Sequence, residues 1–186
     1  MQAVVITHPG GPEVLSLEEV PKPQPGPDEV LVRVHAFGVN HAESYFRSGM
    51  WGEVARITGI ELAGTVEHDP SGKLAEGTTV VSITGGLGRS RDGSYAEYAV
   101  VSADTVAPVE TSLSFTELAA IPESFATAWA CLYGNLDLKP GEKLLVRGGT
   151  SALGRAAIAV GSYEGAEVIA TSRDASRARS LTEQGA

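Results

Sequence analysis

Short β-forming runs separated by clusters of turn residues fill the first hundred residues. The clusters combine glycine, proline and aspartate, as in PGGP at 9–12 and GGLGRSRDG at 85–93. Closely spaced short strands with turn signals between them predict a β-barrel or a β-sandwich. The proline-rich stretch at 21–27 cannot be a central strand, so it is predicted to be an edge or a connecting loop. The predicted strands are 3–7, 14–18, 29–37, 61–68, 79–83 and 95–101.

Helical patterns replace the strands near residue 114. Ser114 followed by Glu117 is a capping-box pattern that predicts the start of a helix, and the apolar segment after it predicts a second, buried helix. Strand and helix then alternate, which is typical of the beginning of a doubly wound parallel sheet. The predicted helices are 114–121, 125–136, 152–163 and 175–184, and the later strands are 143–147 and 167–171. The sequence therefore predicts a mixed α/β fold with two domains, 1–123 and 124–186.

Charge narrows the classes of partner. The chain has 14 Lys and Arg against 23 Asp and Glu, which gives a formal net charge of −9. Because nucleic acid is bound by clustered cations, no nucleic-acid partner is expected. The charge is uneven, since 1–123 carries 17 acidic and 7 basic side chains whereas 124–186 carries 6 and 7. The second domain can therefore accept an anionic ligand, although chance variation in surface charge explains the same numbers.

Cysteine and histidine are too few for a recognisable metal centre. Cys131 is the single cysteine, which excludes a disulfide framework and a multi-cysteine zinc site. No pair of histidines has metal-site spacing, and His41 with Glu61 provides only two candidate ligands. The N-terminus has no basic-then-apolar leader, and no apolar run reaches about 18 residues. We expect no metal and no membrane contact, and a cytoplasmic location.

The strongest local motif follows the predicted strand at 143–147. Its residues are Gly148, Gly149, Thr150, Ser151, Ala152, Leu153 and Gly154. Backbone N–H groups at a helix N-terminus bind phosphate oxygens, and glycine lets the backbone come close to a ligand. These seven residues are therefore candidates for binding a dinucleotide.

Three interpretations of this glycine-rich turn remain open. Gly149 and Gly154 occupy the outer positions of the dinucleotide pattern GxGxxG, while Ser151 replaces its middle glycine. The same glycines fit the phosphate loop of NTPases, but Arg155 and Ala156 replace its lysine and its magnesium-binding hydroxyl. Losing both side chains disfavours an NTPase. The third interpretation is a tight turn without a ligand.

The residues after the second strand of this domain bear on the choice of dinucleotide. An NAD site usually has Asp or Glu there, for the ribose 2′-hydroxyl. Here Ser172, Arg173 and Arg177 follow Thr171. A hydroxyl with two guanidinium groups suits a 2′-phosphate and favours NADP(H) as the cofactor. Asp174 relaxes that preference if it occupies the strand end, and an ordinary basic start of a helix gives the same pattern.

A polar segment at 37–49 interrupts the strand pattern of the first domain. It groups Asn40, His41, Tyr45 and Arg47, which are candidates to line a pocket. For each of them alone, the sequence favours a structural role over a catalytic one.

Five motifs in a fixed order resemble those of a known family. They are VNHAESYFRSG at 39–49, GIELAGTV at 59–66, GSYAEY at 93–98, TAWACL at 127–132 and LKPGEKLLVRGGTSALG at 138–154. Over its whole length the chain resembles the medium-chain dehydrogenases/reductases, in particular their zinc-independent, quinone-oxidoreductase-like branch. The resemblance implies a GroES-like, partly open barrel followed by the first part of a Rossmann-type domain that binds NADP(H).

The resemblance also implies roles for single residues. Asn40 stands where zinc-dependent members have a cysteine, and Ile60 stands where they have a histidine, so no catalytic zinc is expected. In the zinc-free branch the position of Asn40 borders the nicotinamide and that of Tyr45 borders the substrate, which makes both candidate catalytic residues. Thr127 matches the threonine beside the nicotinamide. The turn at 148–154 matches the family's AxxGxxG loop, with serine where glycine is usual.

The function implied is NADPH-dependent reduction of a quinone, or of an activated C=C or carbonyl compound, by hydride transfer without zinc. Asn40 and Tyr45 would orient and polarise the substrate carbonyl, and Tyr45 or water would supply the proton. Family members continue beyond the two predicted strands and suggest a homodimer, so the chain is expected to be truncated and to lack the dimer-forming region. The alternative is an inactive module, a GroES-like domain with half a nucleotide-binding domain, that has only a binding or assembly role.

Overall fold

The chain divides into two compact units. The computed structural model describes all 186 residues, and the units are Met1–Pro122 and Glu123–Ala186. Each unit has its own cluster of buried apolar side chains. The first unit is built mainly from antiparallel strands and the second from parallel strands with a helix between them, so the predicted mixed α/β fold class is confirmed.

The first unit contains seven strands in two antiparallel sheets. One sheet pairs β1 with β2, and the other has the order β6-β3-β4-β5-β7, which forms a half-barrel. The strands are β1 (Gln2–Ile6), β2 (Leu15–Glu19), β3 (Glu29–Ala36), β4 (Glu61–His68), β5 (Thr79–Ile83), β6 (Tyr98–Ser102) and β7 (Val106–Pro108). The predicted strand at 95–101 is shorter than expected, because Tyr95 and Ala96 instead meet β1 through a single bridge.

The core of the half-barrel is formed by alternate residues of neighbouring strands. Val30 and Val32 of β3, Leu62 of β4 and Val80 of β5 are all fully buried in one cluster. This alternation follows from the two-residue period of a strand that has one buried face. Gly64 lets β3 and β4 come close together, because a Cβ atom there would lie 2.2 Å from a main-chain oxygen of β3.

Two short helices complete the first unit. The helix α1 (His41–Ser48) occupies the polar segment that interrupts the strands, and it ends at Gly49 in the left-handed conformation, with φ 78°. The helix α2 (Phe115–Leu118) is shorter than the predicted 114–121, although its predicted capping box is present. The residues after it make tight i→i+3 turns, which suits a segment that leads into a proline.

The second unit is a strand–helix–strand unit flanked by helices. Its elements are α3 (Pro122–Trp129, which starts on the last residue of the first unit), β8 (Lys143–Val146), α4 (Ala152–Tyr163), β9 (Glu167–Ala170) and α5 (Ala178–Glu183). The strands β8 and β9 are parallel. Leu144 and Val168 on one face pack with Ile158 of α4, whereas Leu145 and Ile169 on the other face are exposed.

Two helices of this unit differ from the sequence prediction. The predicted helix at 125–136 begins earlier, at Pro122, because proline suits the first turn of a helix, where its missing N–H is not needed. It continues as a π-helical segment over Ala130–Asn135. The predicted helix at 175–184 starts with a 3-10 turn over Ala175–Arg177, so only Ala178–Glu183 is α-helical. None of the helices has the length and the apolar composition that spanning a bilayer requires.

Candidate functional site

Asn40 lies between β3 and α1, where its backbone caps the helix. Its side-chain Nδ2 donates a hydrogen bond of 2.7 Å to Oε1 of Glu61, the first residue of β4. Its main-chain N–H donates a bond of 2.6 Å to Oε2 of Glu43, in the first turn of α1. Two carboxylates from different elements therefore hold the side chain and the backbone of Asn40.

Glu43 is buried and accepts two further hydrogen bonds. The main-chain N–H of Ile60 donates to it at 3.1 Å, and the hydroxyl of Tyr95 donates at 2.7 Å. Burial raises the pKa of Glu43 above its usual value, and the hydrogen bond from the Asn40 backbone opposes that rise. Burial and the Glu43 carboxylate also raise the pKa of Tyr95. We call Asn40, Glu43, Glu61 and Tyr95 the Asn40 cluster.

The other predicted pocket residues of α1 are separate from this cluster. The ring of Tyr45 packs edge-on against that of His41, with centroids 5.4 Å apart, and Tyr45 is 38% exposed. Its hydroxyl makes no hydrogen bond within the chain, so it is free to contact a ligand. The guanidinium of Arg47 donates to the main-chain oxygen of Gly10 at 3.0 Å, which fixes the preceding loop and gives Arg47 a structural role.

Replacing Glu43 with glutamine is expected to remove a pH dependence of stability. The raised pKa means that the folded chain binds a proton more tightly than the unfolded chain does, so ionised Glu43 costs stability at neutral pH. That cost decreases as the pH falls through the raised pKa towards the ordinary value of 4.5.

The difference in unfolding free energy between the wild type and E43Q should therefore change by up to about 1.4 kcal/mol per pH unit in that window. Urea titrations followed by tryptophan fluorescence measure it, because Trp51 packs against Phe46 of α1. A difference that is constant with pH would contradict the assignment.

The glycine-rich turn in the second unit connects β8 to α4 and is braced by protein oxygens. The main-chain oxygen of Thr171 accepts a hydrogen bond of 3.0 Å from the amide of Gly149. The side-chain Oγ1 of Thr171 accepts one of 3.3 Å from the amide of Gly148. Ser151 caps α4, since its Oγ accepts from the amide of Gly154 at 3.0 Å and its hydroxyl donates to the oxygen of Gly148 at 3.0 Å. The serine that replaces a glycine of the motif thus stabilises the turn.

Three other amides of the turn have no partner within the protein. They belong to Thr150, Ala152 and Leu153, and all three residues are exposed. The first amides of a helix are left without intrahelical acceptors, and anions bind to them. The turn can therefore offer three of its seven predicted residues as amide donors, while the amides of Gly148, Gly149, Ser151 and Gly154 are already used.

The residues predicted to bind a 2′-phosphate gather beside this turn. A cavity of about 300 Å³ is lined by Thr150, Ser172, Arg173, Asp174 and Arg177. A second cavity, of about 510 Å³, is lined by Arg147, Gly148, Thr150, Ser151, Thr171, Ser172 and Arg173. Thr150, whose amide has no partner within the protein, thus lines one cavity together with both predicted arginines.

Asp174 does not occupy the end of the strand, because β9 ends at Ala170. It caps the following 3-10 turn by accepting from the amide of Ser176 at 2.9 Å, and hydrogen bonds from Ser176 lower the pKa of Asp174. Its carboxylate lies 3.7 Å from Nε of Arg177. The cavity therefore contains two guanidinium groups and one carboxylate, all of them exposed.

Thr127, the remaining predicted cofactor residue, lies in α3 and is half-buried. Its hydroxyl donates to Oε1 of Glu123, one turn earlier in the helix, at 3.1 Å. No group of three or more histidine, cysteine, aspartate or glutamate side chains is arranged to hold a metal ion. Glu61, which the sequence pairs with His41 as a candidate ligand, accepts a hydrogen bond from Asn40.

Three residues of this region have no predicted role. Glu43 could be found from the sequence, since Asn40 and Glu43 have capping-box spacing. Tyr95 contacts Glu43 across 52 positions of the chain, and no local pattern indicates such a contact. Gly38 lies against Glu61, since a Cβ atom on Gly38 would be 2.0 Å from Oε1 of Glu61. The sequence around Gly38 indicates only that a strand ends there.

Comparison with known proteins agrees with this architecture. The sequence model of the alcohol dehydrogenase GroES-like domain matches residues 26–111. The quinone oxidoreductase of Mus musculus is 31% identical over 192 residues, which include 100% of this chain and 56% of the relative. The chain spans about half the length of the curated relatives that it matches.

Solved structures resemble this chain over both units, which follow one another in the same order along the sequence. An NAD-dependent alcohol dehydrogenase superposes with a TM-score of 0.90 at 34% identity, covering 100% of this chain and 62% of that one. A mycobacterial protein complexed with NADPH superposes with a TM-score of 0.87 at 32% identity, covering 100% of this chain and 56% of that one. These matches, the half-barrel and the strand–helix–strand unit show that residues 26–111 are similar to the alcohol dehydrogenase GroES-like domain, and that over its whole length the chain resembles the medium-chain dehydrogenases/reductases.

Proposed function

We propose that this chain functions in an NADPH-dependent oxidoreductase. The enzyme would reduce a quinone, or an activated C=C or carbonyl compound, by hydride transfer without zinc. The observation that carries the proposal is that Thr150, whose amide has no partner within the protein, lines one cavity together with Arg173 and Arg177. Quinone oxidoreductases among the relatives support the reaction class. The acidic net charge supports a small-molecule substrate rather than nucleic acid, and we expect the protein in the cytoplasm.

The charges in the second unit favour a phosphorylated dinucleotide. A free amide at the start of α4 suits a pyrophosphate oxygen, and a close glycine backbone leaves room for it. Arg173 and Arg177 provide the planar donors that recognise a further phosphate. The Asp174 carboxylate repels a 2′-phosphate, and it can accept a hydrogen bond from the ribose 2′-hydroxyl of NADH. We therefore expect a preference for NADPH over NADH rather than exclusion of NADH.

The substrate side of the reaction is assigned to Asn40 and Tyr45. Bound NADPH supplies the hydride in this chemistry. Asn40 retains one Nδ2–H after bonding to Glu61, and the Tyr45 hydroxyl makes no hydrogen bond within the chain. We propose that these groups donate hydrogen bonds to the substrate carbonyl, which stabilises the negative charge that develops on its oxygen. The proton then comes from the Tyr45 hydroxyl or from water.

Zinc independence is supported by the donor set around Asn40. An amide nitrogen facing a carboxylate and an isoleucine at position 60 do not provide the thiolate or imidazole ligands that zinc prefers. A zinc titration followed by calorimetry should therefore give no stoichiometric binding.

A role of these 186 residues in binding or assembly, without catalysis, is the second candidate. Rossmann-type sheets normally contain about six strands, whereas β8 and β9 pair only with each other. Such a unit would act in binding or assembly.

Calorimetric titration of the 186-residue chain separates the two candidates. The oxidoreductase predicts NADPH binding with a Kd in the micromolar range and NADH binding weaker by about a hundredfold, or about 2.7 kcal/mol. The inactive module predicts no heat of binding with either dinucleotide. NADH binding tighter than NADPH would contradict the proposed cofactor preference.

A further inference from the structure

We propose that Glu61 is a positioning residue that fixes the orientation of the Asn40 side-chain amide. The absence of a side chain at Gly38 leaves the space that the Glu61 carboxylate occupies. The orientation itself is a property of the first unit. Its use in polarising a substrate carbonyl rests on the proposed function.

The hydrogen-bonding capacity of a carboxylate determines the orientation. An ionised carboxylate only accepts hydrogen bonds, whereas an amide side chain has one donating end and one accepting end. Glu61 Oε1 lies 2.7 Å from Nδ2 of Asn40, so the donating end faces β4. A flip of the amide would place Oδ1 of Asn40 against the carboxylate oxygen, and the two acceptors would repel each other. Glu61 therefore leaves Oδ1 and the second Nδ2–H on the sides that do not face it.

The backbone of both partners is held independently of this bond. The Asn40 N–H is bound to Glu43, and the main-chain oxygen of Glu61 accepts from the buried Ser94 hydroxyl at 2.6 Å. Glu61 also starts a paired strand, with Ile83 as its cross-strand neighbour. Changing the Glu61 side chain should consequently reorient the amide of Asn40 without moving the chain that carries it.

Gly38 determines where the carboxylate can lie. A Cβ atom at this position would be 2.0 Å from Oε1 and 2.6 Å from Cδ of Glu61. These contacts are far too short, and they involve the end of a side chain that is only 4% exposed and has little room to move. The φ angle of Gly38 lies outside the left-handed region, so an alanine there acts through this contact and not through backbone strain.

The Asn40 side-chain NH₂ signals in ¹⁵N-correlated NMR spectra of the 186-residue chain test the orientation directly. Their assignment comes from the signal lost in Asn40→Asp. In the wild type we expect one Nδ2 proton to be shifted downfield and protected from exchange, because it binds a buried carboxylate. In Gly38→Ala and Glu61→Leu we expect that shift to disappear and exchange to become at least about tenfold faster.

Two further variants distinguish positioning from a general loss of structure. Glu61→Gln keeps an accepting oxygen, so it should partly restore the shifted signal that Glu61→Leu loses. Gly134→Ala, where nothing lies within 4 Å of the added methyl group, should leave the signal unchanged. A shifted Asn40 signal that persists in Gly38→Ala and in Glu61→Leu would overturn the proposal.

A kinetic measurement connects the orientation to the reaction. With NADPH and 1,4-naphthoquinone, Gly38→Ala should raise KM for the quinone and lower kcat by about tenfold, while the Kd of NADPH stays unchanged. Unchanged kinetics together with a lost Asn40 signal would overturn the role in catalysis. If the NMR results are as expected but NADPH does not bind the wild type, the proposed function fails and the positioning of Asn40 by Glu61 stands.

Discussion

Gly154→Val is expected to abolish NADPH binding at the glycine-rich turn. A Cβ atom on Gly154 would lie 2.4 Å from the main-chain oxygen of Gly148 and 2.8 Å from Cα of Gly149. Both are backbone atoms of the turn, which cannot move aside in the way that the end of a flexible side chain can. The valine must therefore displace the turn, and the free amides at the start of α4 lose their arrangement. We expect the Kd of NADPH to rise by at least about a hundredfold, or about 2.7 kcal/mol.

The same substitution should also destabilise the second unit. Overpacking a close contact costs about 1–3 kcal/mol, and amide hydrogen exchange in α4 and β8 measures that cost separately from the first unit. Gly134→Ala is the matched control, because its added methyl group meets nothing within 4 Å. NADPH affinity that survives Gly154→Val would show that the turn is not the binding site.

Removing Arg173 and Arg177 together is expected to erase the preference for NADPH. Each guanidinium that bonds to a phosphate contributes about 1.5–3 kcal/mol, so the double alanine variant should bind NADPH roughly a hundredfold more weakly. NADH lacks the 2′-phosphate, so its Kd should change by less than about threefold. Arg177 already lies 3.7 Å from Asp174, which reduces its share of the effect.

Parallel calorimetric titrations with NADPH and NADH measure this change of preference. Arg179→Ala is the matched control, since Arg179 is exposed, pairs with Glu183 at 2.8 Å and does not line the cavity. An equal loss of affinity for both dinucleotides would indicate that the arginines act on the pyrophosphate or on folding, and it would contradict recognition of the 2′-phosphate.

Elements with one strong local pattern were predictable from the sequence. The strands β4 and β5 and the helix α4 have the predicted bounds. In α4 the serine cap, the small residues and the glycine after its end all indicate the same limits. In β4 an apolar run lies between an acidic residue and a turn sequence, and burial of most of the strand follows from its central place in the sheet.

The helix boundaries that differ from the sequence prediction lie where the signals for ending one helix and starting the next compete. Pro122 reads as a stop after α2, but it is also a favourable first residue, and it starts α3. The π-helical segment at Ala130–Asn135 has no sequence signature, because its wider turn depends on how the surrounding side chains pack. Local propensity cannot decide between such alternatives.

The sequence indicates candidate residues for the site but not the contacts between them. The family resemblance makes Asn40 a candidate and the residues after β9 make Arg173 one, and both roles stay predictions. The bond between Asn40 and Glu61 joins positions 21 residues apart, and only the pairing of the strands brings them together. The same holds for the Tyr95 hydroxyl, which reaches Glu43 from a segment that is hydrogen-bonded to Val4 of β1 and to Thr58.

The internal bracing of the glycine-rich turn has a thermodynamic consequence. Ser151 closes the turn on itself and Thr171 ties it to the neighbouring strand, so the backbone already has a fixed shape before any ligand arrives. A preorganised loop loses little conformational entropy on association. Association should thus be fast, without a slow rearrangement phase, and the entropic penalty measured by calorimetry should come from ordering the ligand rather than the protein.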